Sequence, residues 1–271
     1  MLQRTTHANG VVTYSSARFQ ALHIAHGFST RIGGVSSPPY DTLDLSTPTP
    51  GNHDAIRENS RRFGLALGCP DHHLVTVSQV HGAAVHIARA ASGAAEPRVQ
   101  ADALVARDPW LLLAIRVADC VPVLLADPDG GAVAAVHAGW RGIIAGVLPA
   151  AVAALAATAH CPAVGLVGAI GPCLGCDRFE VGPEVAQAFG NAGLSHVVHP
   201  AATPASPEGK PHVDLRAAAR AQLERAGLLP QSIDDTDRCT CRDQAEFFSH
   251  RRDHGITGRM AAAIAPRAIA S

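Results

Sequence analysis

Three residues stand out for the chemistry their side chains can do together. His81 follows the apolar run 74–80 (LVTVSQV), Cys120 follows 111–117 (LLLAIRV), and His137 closes 132–137 (AVAAVH). Two imidazoles and a thiolate are a good donor set for zinc. Catalytic zinc commonly takes three protein ligands and leaves a fourth position to water or substrate. Held in that way, zinc lowers the pKa of its water to about 7 and polarises oxygens as a Lewis acid. The spacing is too wide to be a motif by itself. Taken alone, the same residues also fit two core histidines at strand ends and an inert buried thiol.

Glycines flank the three: Gly82, Gly139 and Gly142. Glycine lets backbone or ligand approach closely. The segment HAGWRG reads as the entrance of a helix whose N–H groups, assisted by Arg141, would hold an anion. An ordinary strand–turn–helix connection explains the glycines equally well. Nearer the N-terminus, 26–36 (HGFSTRIGGVS) combines Arg31 with the hydroxyls of Ser29 and Thr30 and a Gly-Gly turn. A forked guanidinium with backbone donors suits phosphate or a sugar hydroxyl. The lysine and spacing of a P-loop are absent, and a plain turn with a solvent-facing arginine is the simpler reading. Two cysteine pairs, Cys173/Cys176 and Cys239/Cys241, compete for zinc as a four-cysteine structural site. A CxC is a poor match to zinc-knuckle spacing, so both pairs read as free thiols.

The elements that must position these groups follow from periodicity. Runs 74–80, 84–88, 111–117, 121–126, 132–137 and 163–170 are short, apolar or alternating, and predict strands. Helices are predicted over 142–159, 183–189, 214–227 and 257–265. Asp214 is the expected N-cap of the third and Gly227 its stop. Pro149 lies near the start of the first or kinks it. Loops are expected over 36–54 and 200–211 (the latter PAATPASPEGKP). The pattern predicts an α/β fold, one domain over 1–271 with mixed β-sheets and flanking helices. Strand ends lying side by side would converge on one rim, where a sheet holds catalytic groups rigidly.

Bulk composition narrows the function. The chain has 271 residues, 47% hydrophobic and 17% charged, with a formal net charge of −1. That balance gives no general pull toward nucleic acid or an anionic membrane. No run approaches the roughly 18 apolar residues of a membrane span, and the polar N-terminus lacks the apolar core of a secretory signal. Seven cysteines, an odd number, argue against a full disulfide framework and for a reducing compartment, the cytoplasm. The 15 histidines raise the expectation of metal chemistry.

Together, HGFSTRIGGVS, QVHG, ADALV, VADCVPVLLADP, AAVHAGWRG, IGPC…FEV and FFSHRRD…TGRM resemble the laccase-domain family, in the expected order from about residue 26 to 263. These proteins were once called polyphenol oxidases and are now regarded as purine nucleoside phosphorylases. The VADC and HAGWRG segments are the most specific. The resemblance implies a single α/β domain with a zinc site at His81, Cys120 and His137. It implies phosphorolysis of adenosine, inosine, guanosine and methylthioadenosine, with deamination of adenosine. The partners are then purine nucleosides and phosphate. Arg31, with Ser29 and Arg141, becomes a candidate phosphate or ribose contact, and Asp119 an acid/base or an orienter of the metal cysteine. His250 stands where the family often has Tyr, and Asp44 where Asn is expected; substrate preference is what these departures bear on.

Phosphorolysis requires phosphate to attack the ribose carbon bearing the base, with oxocarbenium character at the sugar. Deamination requires an activated water and a proton-moving group, as in zinc deaminases with His and Cys ligands. Three rivals carry different chemistry. A copper polyphenol oxidase would use the same two histidines and cysteine, usually with a weak axial Met; only Met1 and Met260 exist. A cysteine hydrolase would use Cys120 as nucleophile and His81 or His137 as base. A peptidoglycan-editing factor would turn over no nucleoside.

Overall fold

The computed structural model describes residues 1–89, 99–200 and 209–268. Strands are numbered β1–β14 and helices α1–α6 along the chain. One six-stranded sheet runs β1 (Gln3–Thr6), β2 (Val12–Ser15), β3 (His26–Ser29), β14 (Met260–Ile264), β7 (Leu111–Val117), β4 (His73–Val75). Its pairings are antiparallel except β4 with β7. The second runs β13 (Ile233–Asp234), β10 (Val167–Ile170), β8 (Val121–Ala126), β9 (Val133–Ala138), β6 (Ala103–Ala106), β5 (Val85–Ile87), with parallel pairs only at its two edges. A ribbon joins β11 (Val198–His199) to β12 (His212–Val213). The helices are α1 (Ala17–Ala21), α2 (His53–Ala66), α3 (Trp140–Ala145), α4 (Val147–Ala159), α5 (Pro183–Asn191) and α6 (Leu215–Arg225). The mixed α/β architecture expected from the sequence is the one observed.

Side-chain alternation along the strands builds the layers. On β7, Leu111, Leu113, Ile115 and Val117 enter the core between the sheets. Leu112 and Ala114 point the other way, into the core under α2 with Phe63. On β8, Leu124 and Ala126 face the first sheet, while Val121, Val123 and Leu125 join α4 and α6. The stack is therefore helix, sheet, sheet, helices. Strands buried on both faces read as continuous apolar runs, which is why β7 and β8 begin and end where the runs do.

Several expectations are sharpened or overturned. The helix expected over 142–159 is two, broken at Gly146, whose φ is +83°. Pro149 sits in the first turn of α4, where its missing N–H has no intrahelical partner to lose. Asp214 does cap α6, accepting the Ala217 N–H at 2.9 Å, and Gly227 follows its end at φ +109°. The helix predicted over 257–265 is wrong: Met260–Ile264 is the strand β14, held between β3 and β7. Alanine favours helix, but Met260, Ala262 and Ile264 fill the inter-sheet core while Ala261 and Ala263 fill the other. With both faces buried, no polar residue betrays the period. The run 74–80 is a strand only over its first residues, and α2, β1–β3 and β6 were not anticipated. The loop expected over 200–211 lies largely outside the described residues. None of the described helices is long and apolar enough to cross a membrane.

Candidate metal centre and its cavity

The three candidate ligands do converge, but not on one sheet. β4 and β7 belong to the first sheet and β9 to the second. His81 lies six residues beyond β4, Cys120 in the crossing from β7 to β8, and His137 within β9 opposite Pro122. The ligand atoms of His81, Cys120 and His137 lie within 4.8 Å of one another at the seam between the sheets. The Cys120 Sγ is 4.0 Å from the His81 Nε2, and the two imidazoles meet edge-on with centroids 4.9 Å apart. Among the described residues it is the one cluster of three or more His, Cys, Asp or Glu side chains placed to hold a metal ion.

Asp102, just before β6, organises the cluster. It is fully buried. Its Oδ1 accepts the His137 Nδ1–H at 2.8 Å and the His81 backbone N–H at 3.0 Å. Its Oδ2 accepts the backbone N–H groups of Gly82 at 2.7 Å and Val80 at 3.2 Å. The carboxylate thus fixes the His137 tautomer with Nε2 free toward the cluster, and holds the loop that carries His81. A carboxylate behind a ligating histidine is the usual support of a metal site. Burial pushes the Asp102 carboxyl upward, but the hydrogen bonds from His137 and Gly82 outweigh it and leave its pKa below the ordinary value. Burial likewise raises the Cys120 thiol, and the two histidines outweigh that, drawing it toward thiolate. The donor set, its support and its thiolate character fit a metal ion.

The local backbone is specialised for this convergence. His81 and Asp119 both adopt positive φ, 61° and 91°, a conformation L-residues rarely keep unless their surroundings enforce it. At His81 the enforcement comes from Asp102, which holds its backbone N–H; at the Cys120 turn it comes from the Asp119 carboxylate. It accepts the Thr240 hydroxyl at 2.6 Å and the Arg251 backbone N–H at 2.6 Å, tying the Cys120 turn to the C-terminal segment. At Gly139 a Cβ would lie 2.9 Å from the His81 Cδ2 and 3.1 Å from the Cys120 Sγ. Only glycine fits there without displacing the cluster.

The cluster opens into a cavity of about 750 Å³. Arg116, Arg141, Arg251 and Arg259 line it, against a single carboxylate, Asp119. Trp140, Phe179 and His250 give it flat aromatic surface. Arg141 stacks on Trp140 at 4.4 Å and Arg251 on Phe179 at 5.4 Å. Ser46 and Thr47 close one side. Asp44, the departure noted in the sequence, is buried and accepts the Ser46 and Arg259 N–H groups at 3.0 and 2.9 Å. It therefore shapes this wall.

Arg31 and Ser29 are not brought to this cavity. Arg31 lines a separate, shallower hollow with Asp41, Gln244 and Ile256. Its guanidinium is bound to the Asp41 carbonyl at 2.7 Å and carboxylate at 3.2 Å, and lies 4.5 Å over Phe248. Ser29 is buried, its Oγ accepting the Ala261 N–H at 3.0 Å. Residue reading missed Asp102, Arg116, Arg259 and Phe179. The available signal was a lone arginine ending an otherwise apolar strand and an aspartate opening another. All seven cysteines are free. Cys173 and Cys239 pair only as backbone neighbours in a short bridge.

Known proteins resemble this chain over most of its length. A relative from Deinococcus radiodurans named purine nucleoside phosphorylase is 38% identical over 243 residues, covering 90% of this chain and 89% of that protein. Purine nucleoside phosphorylase YfiH of Escherichia coli is 38% identical over 240 residues, 87% of this chain and 91% of that one. The crystal structure of YlmD from Geobacillus stearothermophilus superposes with a TM-score of 0.83 at 30% identity, covering 98% and 99% of the two chains. That of YfiH from Bacillus licheniformis gives 0.85 at 27% identity over 97% and 99%. The profile of the multi-copper polyphenol oxidoreductase laccase family matches residues 25–267. With motifs, fold and profile in agreement over nearly its whole length, the chain belongs to that laccase-domain family.

Proposed function

We propose that the protein is a zinc-dependent purine nucleoside phosphorylase of the cytoplasm, acting on adenosine, inosine, guanosine and methylthioadenosine, with adenosine deaminase activity. One observation carries this reading. The His81–Cys120–His137 cluster opens into a cavity bearing four arginines and one carboxylate, and that carboxylate is already engaged. An arginine-rich cavity with aromatic walls suits an anion beside a planar base. The names of the relatives point the same way.

In this proposal Arg116 and Arg259 hold phosphate, with the Ser46 and Thr47 wall beside them, replacing the role expected of Arg31 and Ser29. Trp140, Phe179 and His250 take the purine, and Arg141 and Arg251 balance charge as the glycosidic bond breaks. Asp119 acts by holding the Cys120 turn, because both its oxygens already accept hydrogen bonds. His81, Cys120 and His137 hold the metal, with Asp102 orienting them. Zinc bound there would supply Lewis acidity toward phosphate, base or water.

The family's description also names copper oxidation. The donor set alone suits copper, but no methionine lines the cavity. Met260 is buried in the sheet, its sulfur accepting the Phe248 N–H at 3.1 Å, and the usual axial thioether is thus missing. The test is a product assay on metal-analysed protein with adenosine or inosine, with and without phosphate, and with a chelator. Phosphate-dependent release of base and ribose 1-phosphate, lost with the metal, is the expected result. Turnover of phenols after copper loading, without nucleoside cleavage, would replace the proposal with the oxidase. No product from zinc-loaded protein would leave the hydrolase and editing readings.

A further inference from the structure

Strand β4 ends at Val75, opposite Leu113, while β7 runs on to Val117. Beyond Leu113 that edge of β7 has lost its neighbouring strand, and its backbone groups need other partners. At Arg116 a side chain takes the neighbour's place. The Gln79 Nε2–H donates to the Arg116 carbonyl at 2.8 Å, and the Gln79 Oε1 accepts the Arg116 N–H at 2.8 Å. On the other side of β7, Arg116 stands opposite Ala261 of β14. A carboxamide carries both an acceptor and donors, so it alone among side chains of this length can satisfy both backbone groups. Gln79 belongs to the loop that carries His81. That loop is tied to the second sheet by other groups. Ser78 donates to the Val99 carbonyl at 2.9 Å and accepts the Ala101 N–H at 3.2 Å, and Asp102 accepts the N–H groups of Val80, His81 and Gly82. Gln79 supplies the matching tie to the first sheet.

We propose that Gln79 is a positioning residue for phosphate: by pairing with the backbone of Arg116 it sets that arginine at a fixed place relative to the His81 loop. The inference rests on the reading of Arg116 as a phosphate holder. Gln79, Arg116 and His81 line the same cavity. The Arg116 Nε donates to the Leu45 carbonyl at 2.8 Å, which anchors the guanidinium at its own end, while Gln79 anchors the strand at its root. Without the root the arginine shifts against the metal loop, yet no metal ligand is lost. Asp102 still holds the His81 loop and the His137 ring, and Asp119 still holds the Cys120 turn. Groups that meet a reacting anion must be held to within about 0.5 Å, and a misplacement of about 1 Å costs on the order of 100-fold in rate. The expected lesion is therefore in the use of phosphate and not in the retention of zinc.

The test uses zinc-loaded full-length protein carrying Gln79→Met, which keeps the length and removes both hydrogen bonds, or Gln79→Asn, which keeps the amide one methylene short. Arg116→Ala and the double variant Gln79→Met/Arg116→Ala complete the cycle. Inorganic phosphate is titrated calorimetrically, a readout that needs no turnover, and KM is measured for phosphate and inosine. Both Gln79 variants are expected to weaken phosphate by about 10–100-fold. Their KM for inosine and their zinc affinity should stay within about threefold of the parent, below the cost of removing a ligand's support. Because Gln79 acts through Arg116, the double variant should be no worse toward phosphate than Arg116→Ala alone. Losses that multiply in the double variant, or zinc affinity falling as far as phosphate affinity, would make Gln79 a general tie of the loop and overturn the inference. Phosphate binding reduced by Arg116→Ala but untouched by Gln79→Met overturns the role of Gln79 alone. Phosphate binding untouched by Arg116→Ala removes the phosphate reading of Arg116, and the inference falls with it.

Discussion

Replacing Asp102 by Asn tests the metal centre at the group that assembles it. The parent carboxylate accepts four donors: the Nδ1–H of His137 and the backbone N–H groups of Val80, His81 and Gly82. An asparagine carbonyl placed at Oδ1 keeps two of them. Its amide then stands at Oδ2, an N–H group facing the N–H groups of Gly82 and Val80. Two buried donors lose their acceptor, at about 1–3 kcal/mol each, or about 2–6 kcal/mol in all. Domains of this kind are stable by about 5–15 kcal/mol, so the variant remains folded but loosened around the His81 loop. Removing the support of a ligating histidine lowers metal affinity by about 10–100-fold. The assay is zinc competition against a chromophoric chelator, with circular dichroism to establish folding. Folded Asp102→Asn protein binding zinc within about threefold of the parent, below that range, would refute the assignment of Asp102 as the organiser.

The same variant makes a pH prediction. The folded Asp102 carboxyl sits below the ordinary value because the hydrogen bonds of His137 and Gly82 outweigh its burial. A depressed carboxylate stabilises the fold fully above the unfolded value, about 4, and loses that contribution as the pH falls through the lower folded value. Thermal melts of chelator-treated parent protein should therefore decline below about pH 4. Asp102→Asn, with no carboxylate to protonate, should show a shallower decline.

Other expectations concern neighbouring residues. Gly139→Ala places a methyl 2.9 Å from the His81 ring and 3.1 Å from the Cys120 sulfur, so zinc stoichiometry should collapse while far-ultraviolet circular dichroism is retained. Arg116→Ala and Arg259→Ala should raise the KM for phosphate about tenfold or more, as loss of a charge-assisted hydrogen bond does, and change the KM for nucleoside little; the reverse pattern would move phosphate elsewhere. Iodoacetamide should alkylate Cys120 in chelator-treated protein and not in zinc-loaded protein. Cys173, whose thiol burial pushes up to about 12, should stay unmodified in both, as peptide mass mapping would read. Asp119→Asn keeps one acceptor for Thr240 or Arg251 but not both, so the lesion should appear as weaker metal retention, with no new pH limb in the reaction.

The sequence set His81, Cys120 and His137 at or just past strongly apolar runs, but it was the family resemblance, not their spacing, that joined them into one candidate set. β7 and β8 are buried on both faces, so their limits show in composition alone. The same double burial hid β14, where alanine's helix preference had no polar face to contradict it. Arg31 was misleading for a related reason. A guanidinium near glycines and hydroxyls looks like an anion site, yet here it is spent on the Asp41 carbonyl and carboxylate and the Phe248 ring. Asp102 was invisible as a functional group because its partners are the His137 ring far downstream and backbone N–H groups some twenty residues upstream. Such pairings leave no spacing to read.

Those long-range pairings also explain why the candidate metal site lies at a seam. A single sheet brings strand ends together at fixed intervals set by strand separation, about 4.8 Å per strand. His81 and Cys120 come from segments following strands of one sheet, and His137 from inside a strand of the other. Only where β7 leaves the first sheet to become β8 of the second can the two contribute to one point. That crossing is three residues long, Ala118, Asp119 and Cys120, and it turns at a residue held in positive φ. Asp119 fixes the turn through Thr240 and Arg251, and Asp102 fixes the facing loop through its N–H groups. Asp102 reaches across the seam, holding both the His81 loop and the His137 ring, while Asp119 holds only the Cys120 turn. Loss of Asp102 should therefore loosen two ligands and loss of Asp119 one, so the two variants should weaken the metal by different routes. A double variant should then show losses that multiply, as for independent supports; a double variant no worse than the weaker single one would mean that both act on a single loop.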